Sequence, residues 1–117
     1  MNILVHTANS ITDRERQLLD AETAIGHALR NFADQITRVE VHLGDTNGGK
    51  GGENDKRCSI EIRIEHHQPI AASHQAGTLH HAVEGAAKKA RAAMESLVGR
   101  LGHRPHGLGG IGDAVPG

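Results

Sequence analysis

Aromatic side chains are almost missing: the 117 residues contain one Phe, no Trp and no Tyr. A surface that stacks single-stranded bases on aromatic platforms is therefore excluded. The core must instead be assembled from Ile, Val, Leu and Ala. One cysteine, Cys58, rules out an internal disulfide, leaves no Cys partner for a thiolate metal site and suits a reducing compartment. No stretch approaches the roughly 20 apolar residues that a membrane span needs. The opening MNILVHTANS has neither a basic start nor a long apolar run, so it does not read as a secretory signal. A protein of the cytoplasm is expected. Charge of one sign is lacking too: 13 basic and 14 acidic residues give a net charge of −1, so no global field draws the chain to nucleic acid. Ten histidines can tip that balance positive near about pH 6–7.

What is present is periodic. Residues 2–8 alternate as a strand, Ile3 and Val5 on one face, Leu4 and His6 on the other. Thr12 with Glu15 three residues later spells a capping box. From there to about Asp34, Leu18, Ala21, Ile25, Leu29 and Phe32 recur at helical spacing. The run ITRVEVHL sets Val39, Val41 and Leu43 against Arg38, Glu40 and His42. KRCSIEIRIEHH repeats this, with Cys58, Ile60, Ile62 and Ile64 against Ser59, Glu61, Arg63 and Glu65. Strands with one polar face each belong to an antiparallel sheet covered on one side. Beyond a turn at His67-Gln68-Pro69, residues 70–76 form a weaker fourth strand. Residues 79–101 form a long helix striped by Leu79, Val83, Ala86, Ala90, Met94, Leu97 and Leu101, with Gly102 as its C-cap and Pro105 barring continuation. The expected fold is α+β, order β-α-β-β-β-α: a four-stranded sheet with two helices packed on one face, as in double-stranded-RNA-binding domains. Residues 1–104 make one domain, and 105–117 a mobile glycine-rich tail.

GDTNGGKGG, residues 44–52, nearly spells a phosphate-binding loop, since Gly44, Gly49 and Lys50 meet the G-x-x-x-x-G-K spacing. A true P-loop carries Ser or Thr after the Lys to hold Mg²⁺ and opens into a helix. Here Gly51 follows and a strand comes next, so the segment reads as a long hairpin connection. The pairs His66-His67, His80-His81 and His103/His106, and His80 with Glu84, could ligate a metal. They fall on polar faces without an H-E-x-x-H arrangement, and solvated side chains are the simpler reading. Ser10, Ser59, Ser73 and Ser96 lie in no nucleophile setting, Cys58 reads as core, and Glu61 with Glu65 sits on an exposed strand face. No enzyme, cofactor, metal site or small-molecule substrate is expected.

Charge is nonetheless segregated. Residues 78–104 hold five basic residues, Lys88, Lys89, Arg91, Arg100 and Arg104, against Glu84 and Glu95, a net of +3. Residues 1–77 hold eight basic and eleven acidic residues, a net of −3. The last helix is either an ordinary solvated face or a phosphate-contacting edge, where each cation that displaces a counterion adds affinity without reading sequence. Backbone and groove contacts to folded RNA are the mode compatible with so few aromatics.

The element order, the L-x-x-F-x-x-x-I-x-x-V-x-V-x-L run from Leu29 to Leu43, the helix start at Thr12, and Ala82-Val83-Glu84 followed by Lys89 resemble a known pattern. It is that of the short ribosome hibernation-promoting factors, one family with the ribosome-associated inhibitor protein, also called the sigma-54 modulation family. The likeness covers residues 1–101. It implies a non-enzymatic, ribosome-binding inhibitor of translation that contacts small-subunit rRNA in the mRNA and tRNA channel. The implied contacts are Lys88, Lys89, Arg91, Arg100 and Arg104 on the last helix and Arg30 on the first. The chain departs from the pattern at His80, Ala92, Ala93, Ser96 and Val98, which thins the basic set. Two other classes stay open: a regulatory protein–protein module on the same fold, its basic edge serving an acidic partner, and a histidine-based metal-binding protein.

Overall fold

The computed structural model describes residues 1–9, 11–45 and 55–103, without the side chains of residues 100–103. Along the chain run β1 (Asn2–Thr7), α1 (Arg14–Leu29), a 3-10 turn (Arg30–Phe32), β2 (Ile36–Asp45), β3 (Lys56–Ile64), β4 (Ile70–Ala76) and α2 (Leu79–His103). The strands form one sheet in the order β1-β2-β3-β4. β1 runs parallel to β2, with α1 as the crossover, while β2–β3 and β3–β4 pair antiparallel. The expected β-α-β-β-β-α order is observed, in a mixed sheet.

Alternation decides which side of each strand is covered. Val39, Val41, Leu43, Cys58, Ile60, Ile62 and Ile64 point to the helix side and are buried. Ile36 is buried as well, although it lies three positions before Val39, and strict alternation would place the two on opposite faces. A register shift between Ile36 and Arg38 resolves the conflict. The extra residue of such an irregularity lets both apolar side chains face inward, and Thr37 Oγ1 donates to the Arg63 carbonyl beside it (3.1 Å).

Helix α1 lays Ala21, Ile25 and Leu29 on the sheet, an i, i+4, i+8 stripe. Its start differs from the expected capping box. Asp13, not Thr12, occupies the N-cap, in a left-handed conformation (φ 57°, ψ 47°) and without a side-chain cap hydrogen bond. The buried Ile11 anchors the chain before the helix, and Asp13 absorbs the turn that follows, a conformation Asp tolerates better than most residues. The first helical bond is then Gln17 N–H to the Asp13 carbonyl (3.1 Å). The helical pattern also ends earlier than Asp34. After Leu29 the chain tightens into 3-10 geometry, and i to i+3 bonds from Ala33 to Arg30, Gln35 to Phe32 and Ile36 to Ala33 carry it into β2, burying Phe32.

Helix α2 begins with Thr78, whose Oγ1 accepts from the His81 N–H (3.1 Å), a conventional N-cap. It buries Leu79, Ala82, Val83, Ala86, Ala87, Ala90 and Met94, with Leu97 and Val98 half-buried. Alanines on this stripe hold α2 close to β3, β4 and α1, all of which it contacts. It runs through Gly102 to His103, so Gly102 is not the C-cap. No described helix is long and apolar enough to cross a membrane. The tail expected at 105–117 lies outside the described residues.

Candidate nucleic-acid interface

Three expected contact residues share just over one turn of α2. Lys88, Lys89 and Arg91 are all exposed because Ala86, Ala87, Ala90 and Met94 occupy the buried side of the same turns. Their partners differ. Among the described residues Lys88 makes no hydrogen bond or ion pair. Lys89 Nζ donates to the Ser73 carbonyl on β4 (3.0 Å). Arg91 Nε pairs with Glu95 Oε2 one turn on (3.2 Å), an exposed i, i+4 pair of small energetic weight. Further toward the start of the helix His80 Nε2 lies 3.3 Å from Glu84 Oε2. Lys88 is thus a cation presented outright. Lys89 reaches from the helix edge toward β4, and Arg91 must exchange a carboxylate for a phosphate.

Arg30 sits apart from these, on the turn that closes α1, exposed and donating through Nη1 to His27 Nδ1 (3.2 Å). Arg100 falls within α2, but its side chain lies outside the described residues, as does all of Arg104. The structure therefore groups Lys88, Lys89 and Arg91 and leaves Arg30 on another element.

Residues 46–54, which hold most of the P-loop spelling, are outside the described residues, but their flanks settle what the segment joins. β2 enters and the antiparallel β3 leaves, so the element that follows is a strand and not the helix that a P-loop opens into. Lys56 Nζ bonds Asp45 Oδ1 across the mouth (2.9 Å). That bond, first among several carboxylate influences, raises the Lys56 pKa above its ordinary value. Cys58 is fully buried, and burial alone pushes its thiol up to about 12. It is a core residue without thiolate character at neutral pH.

The uncovered face of the sheet carries Leu4 and His6 from β1, Arg38, Glu40 and His42 from β2, and Arg57, Ser59, Glu61 and Arg63 from β3. Its charges are interleaved. Arg38 bonds Glu40 and Arg63 lies 3.6 Å from Glu61. The Arg38 hydrogen bond, followed by the charges of Arg38, Arg63 and His6, holds the Glu40 carboxyl below the usual range against a desolvation cost. Within this face His6 and His42 are brought together, their rings stacked with centroids 4.8 Å apart. Alternation places both on polar strand faces, but only the parallel register reveals that they meet.

These features define a class by architecture: a mixed four-stranded sheet with two helices on one side, an interleaved polar face on the other, and a cationic edge on the second helix. Two solved structures share the fold. The N-terminal domain of Thermus thermophilus Protein Y superimposes with a TM-score of 0.61 at 19% identity, covering 83% of this chain and 99% of that one. A ribosomal subunit interface protein from Coxiella burnetii gives 0.66 at 15% identity, covering 85% and 99%. No protein-family model and no curated protein sequence matches the chain. At such identities the likeness establishes the fold.

Proposed function

We propose that this chain is a ribosome-associated factor of the hibernation type. It would act without enzymatic chemistry by occupying the small subunit where mRNA and tRNA pass, in the cytoplasm and under conditions that idle translation. The observation that carries the reading is the fold shared over 99% of a ribosomal subunit interface protein, combined with a cationic edge on α2. Lys88, Lys89 and Arg91 contact rRNA phosphates, Arg100 and Arg104 join the set, and Arg30 adds a contact from the turn that closes α1. Each displaced counterion contributes to affinity, so binding weakens steeply with salt. Lys88, Lys89 and Arg91 alone contribute a slope of roughly −2 to −3 in log K against log salt.

The test is charge reversal. Lys88→Glu with Lys89→Glu is expected to weaken binding to purified small subunits and to flatten the salt slope by about two, while loss of the Lys89 bond to Ser73 lowers the melting temperature only slightly and leaves the chain folded. An unaltered slope would remove α2 from the interface. Capture of a single acidic protein independently of ribosomes, abolished by the same substitutions, would instead favour the regulatory protein–protein module.

A further inference from the structure

We propose that His6, His42 and Glu40 form a binding site for a divalent transition-metal ion of the zinc class on the open face of the sheet. The parallel pairing of β1 with β2 sets His6 directly opposite His42, and their rings stack at 4.8 Å with an interplanar angle of 17°. Glu40, two residues before His42, projects from the same face. The ligand atoms of the three side chains all lie within 4.8 Å of one another. Around a tetrahedral zinc with bonds of about 2.0–2.1 Å, neighbouring ligand atoms sit about 3.3 Å apart. The shortfall is closed by side-chain rotation, and both histidines are exposed and free to turn. The sheet holds the backbone positions, leaving only side-chain torsions to be ordered.

Donor chemistry selects the ion. Two imidazoles and one carboxylate suit zinc, copper and nickel, whereas calcium and magnesium require mostly oxygen. Three protein ligands leave a fourth position for water. The charged groups facing the site are Arg38 and Arg63, offset by Glu40 and Glu61, so the local field does not repel a cation. Arg38 engages Glu40 Oε2, which keeps the carboxylate ionised and oriented and leaves Oε1 as the donor. Such outer contacts usually strengthen a ligand rather than compete with it. Bound metal would tie the edge strand β1 to β2, so it stabilises the fold by mass action.

The site lies on the opposite side of the sheet from α2 and stands independently of ribosome binding. Titration of the untagged, EDTA-stripped full chain with ZnCl₂ by calorimetry should show one saturable equivalent and a melting temperature that rises with zinc. His6→Ala and His42→Ala should each weaken binding by about 10-fold or more, and their doubly substituted chain should abolish it. His80→Ala with His81→Ala should leave affinity unchanged. Melting in EDTA confirms that each exposed-site variant is folded. Absence of saturable binding to the parent chain, or full affinity in the chain lacking both His6 and His42, would overturn the proposal.

Discussion

His66 adopts φ 68° in the turn between β3 and β4, where the His67 N–H donates to the Ile64 carbonyl (3.2 Å). A positive φ at the third position of a four-residue turn is ordinarily met by glycine, and an L side chain there costs roughly 1 kcal/mol or more. Because the imidazole is exposed, His66→Gly is expected to raise stability by about 0.5–1 kcal/mol, read from urea unfolding. Cys58 supplies a second residue-scale expectation. Its folded pKa of about 12 lies above the ordinary 9.0. The stability associated with the neutral thiol is therefore fully present below pH 9.0 and is lost as pH rises from 9.0 through about 12. The unfolded chain releases this proton first, giving a slope near 1.4 kcal/mol per pH unit. Cys58→Ala should lack that component of alkaline destabilisation. A native chain that reacts with a thiol reagent at pH 8 as fast as free cysteine would contradict the buried placement.

At the scale of elements, the packing of α2 on β4 turns on Gly85. A Cβ built there would overlap the ring of His74, which faces the helix from the inner side of β4, between Ser73 and Gln75 of the open face. Glycine inside a helix costs about 1 kcal/mol relative to alanine, whereas overpacking costs about 1–3 kcal/mol. Gly85→Ala should therefore destabilise by about 1 kcal/mol in the parent chain. In a His74→Ala background the same substitution should stabilise by about 1 kcal/mol, and a double-mutant cycle in urea would show this change of sign. Elements themselves were legible because burial imposes a period, and β4 falls on 70–76 as its weak alternation suggested. The capping box was not, because Thr12 and Glu15 match locally while Ile11, by entering the core, shifts the helix start by one residue. The bulge at Thr37 was likewise hidden. Only pairing with β3 shows that Ile36 and Val39 must share a face.

For the molecule as a whole, the apolar positions of the Leu29–Leu43 run, which carried much of the resemblance, proved to be interior. Leu29, Phe32, Ile36, Val39, Val41 and Leu43 are all buried, so these apolar positions specify a fold. This explains why the architecture was readable while the interface was less so. Core positions are constrained by volume and periodicity, whereas exposed lysines obey no comparable packing rule. The charge segregation pointed to α2, where Lys88, Lys89 and Arg91 do stand exposed, but the bond from Lys89 to the Ser73 carbonyl on β4 could be seen only in three dimensions. The meeting of His6 with His42 depended on a parallel register between strands separated by α1, which alternation alone does not encode. Binding is accordingly expected to depend strongly on ionic strength. The most direct measurement is sedimentation of the chain with ribosomes through a sucrose cushion at low salt and about pH 6.5. The account predicts that the chain pellets with the ribosomes and moves to the supernatant as salt is raised. A chain that stays in the supernatant at low salt would contradict it.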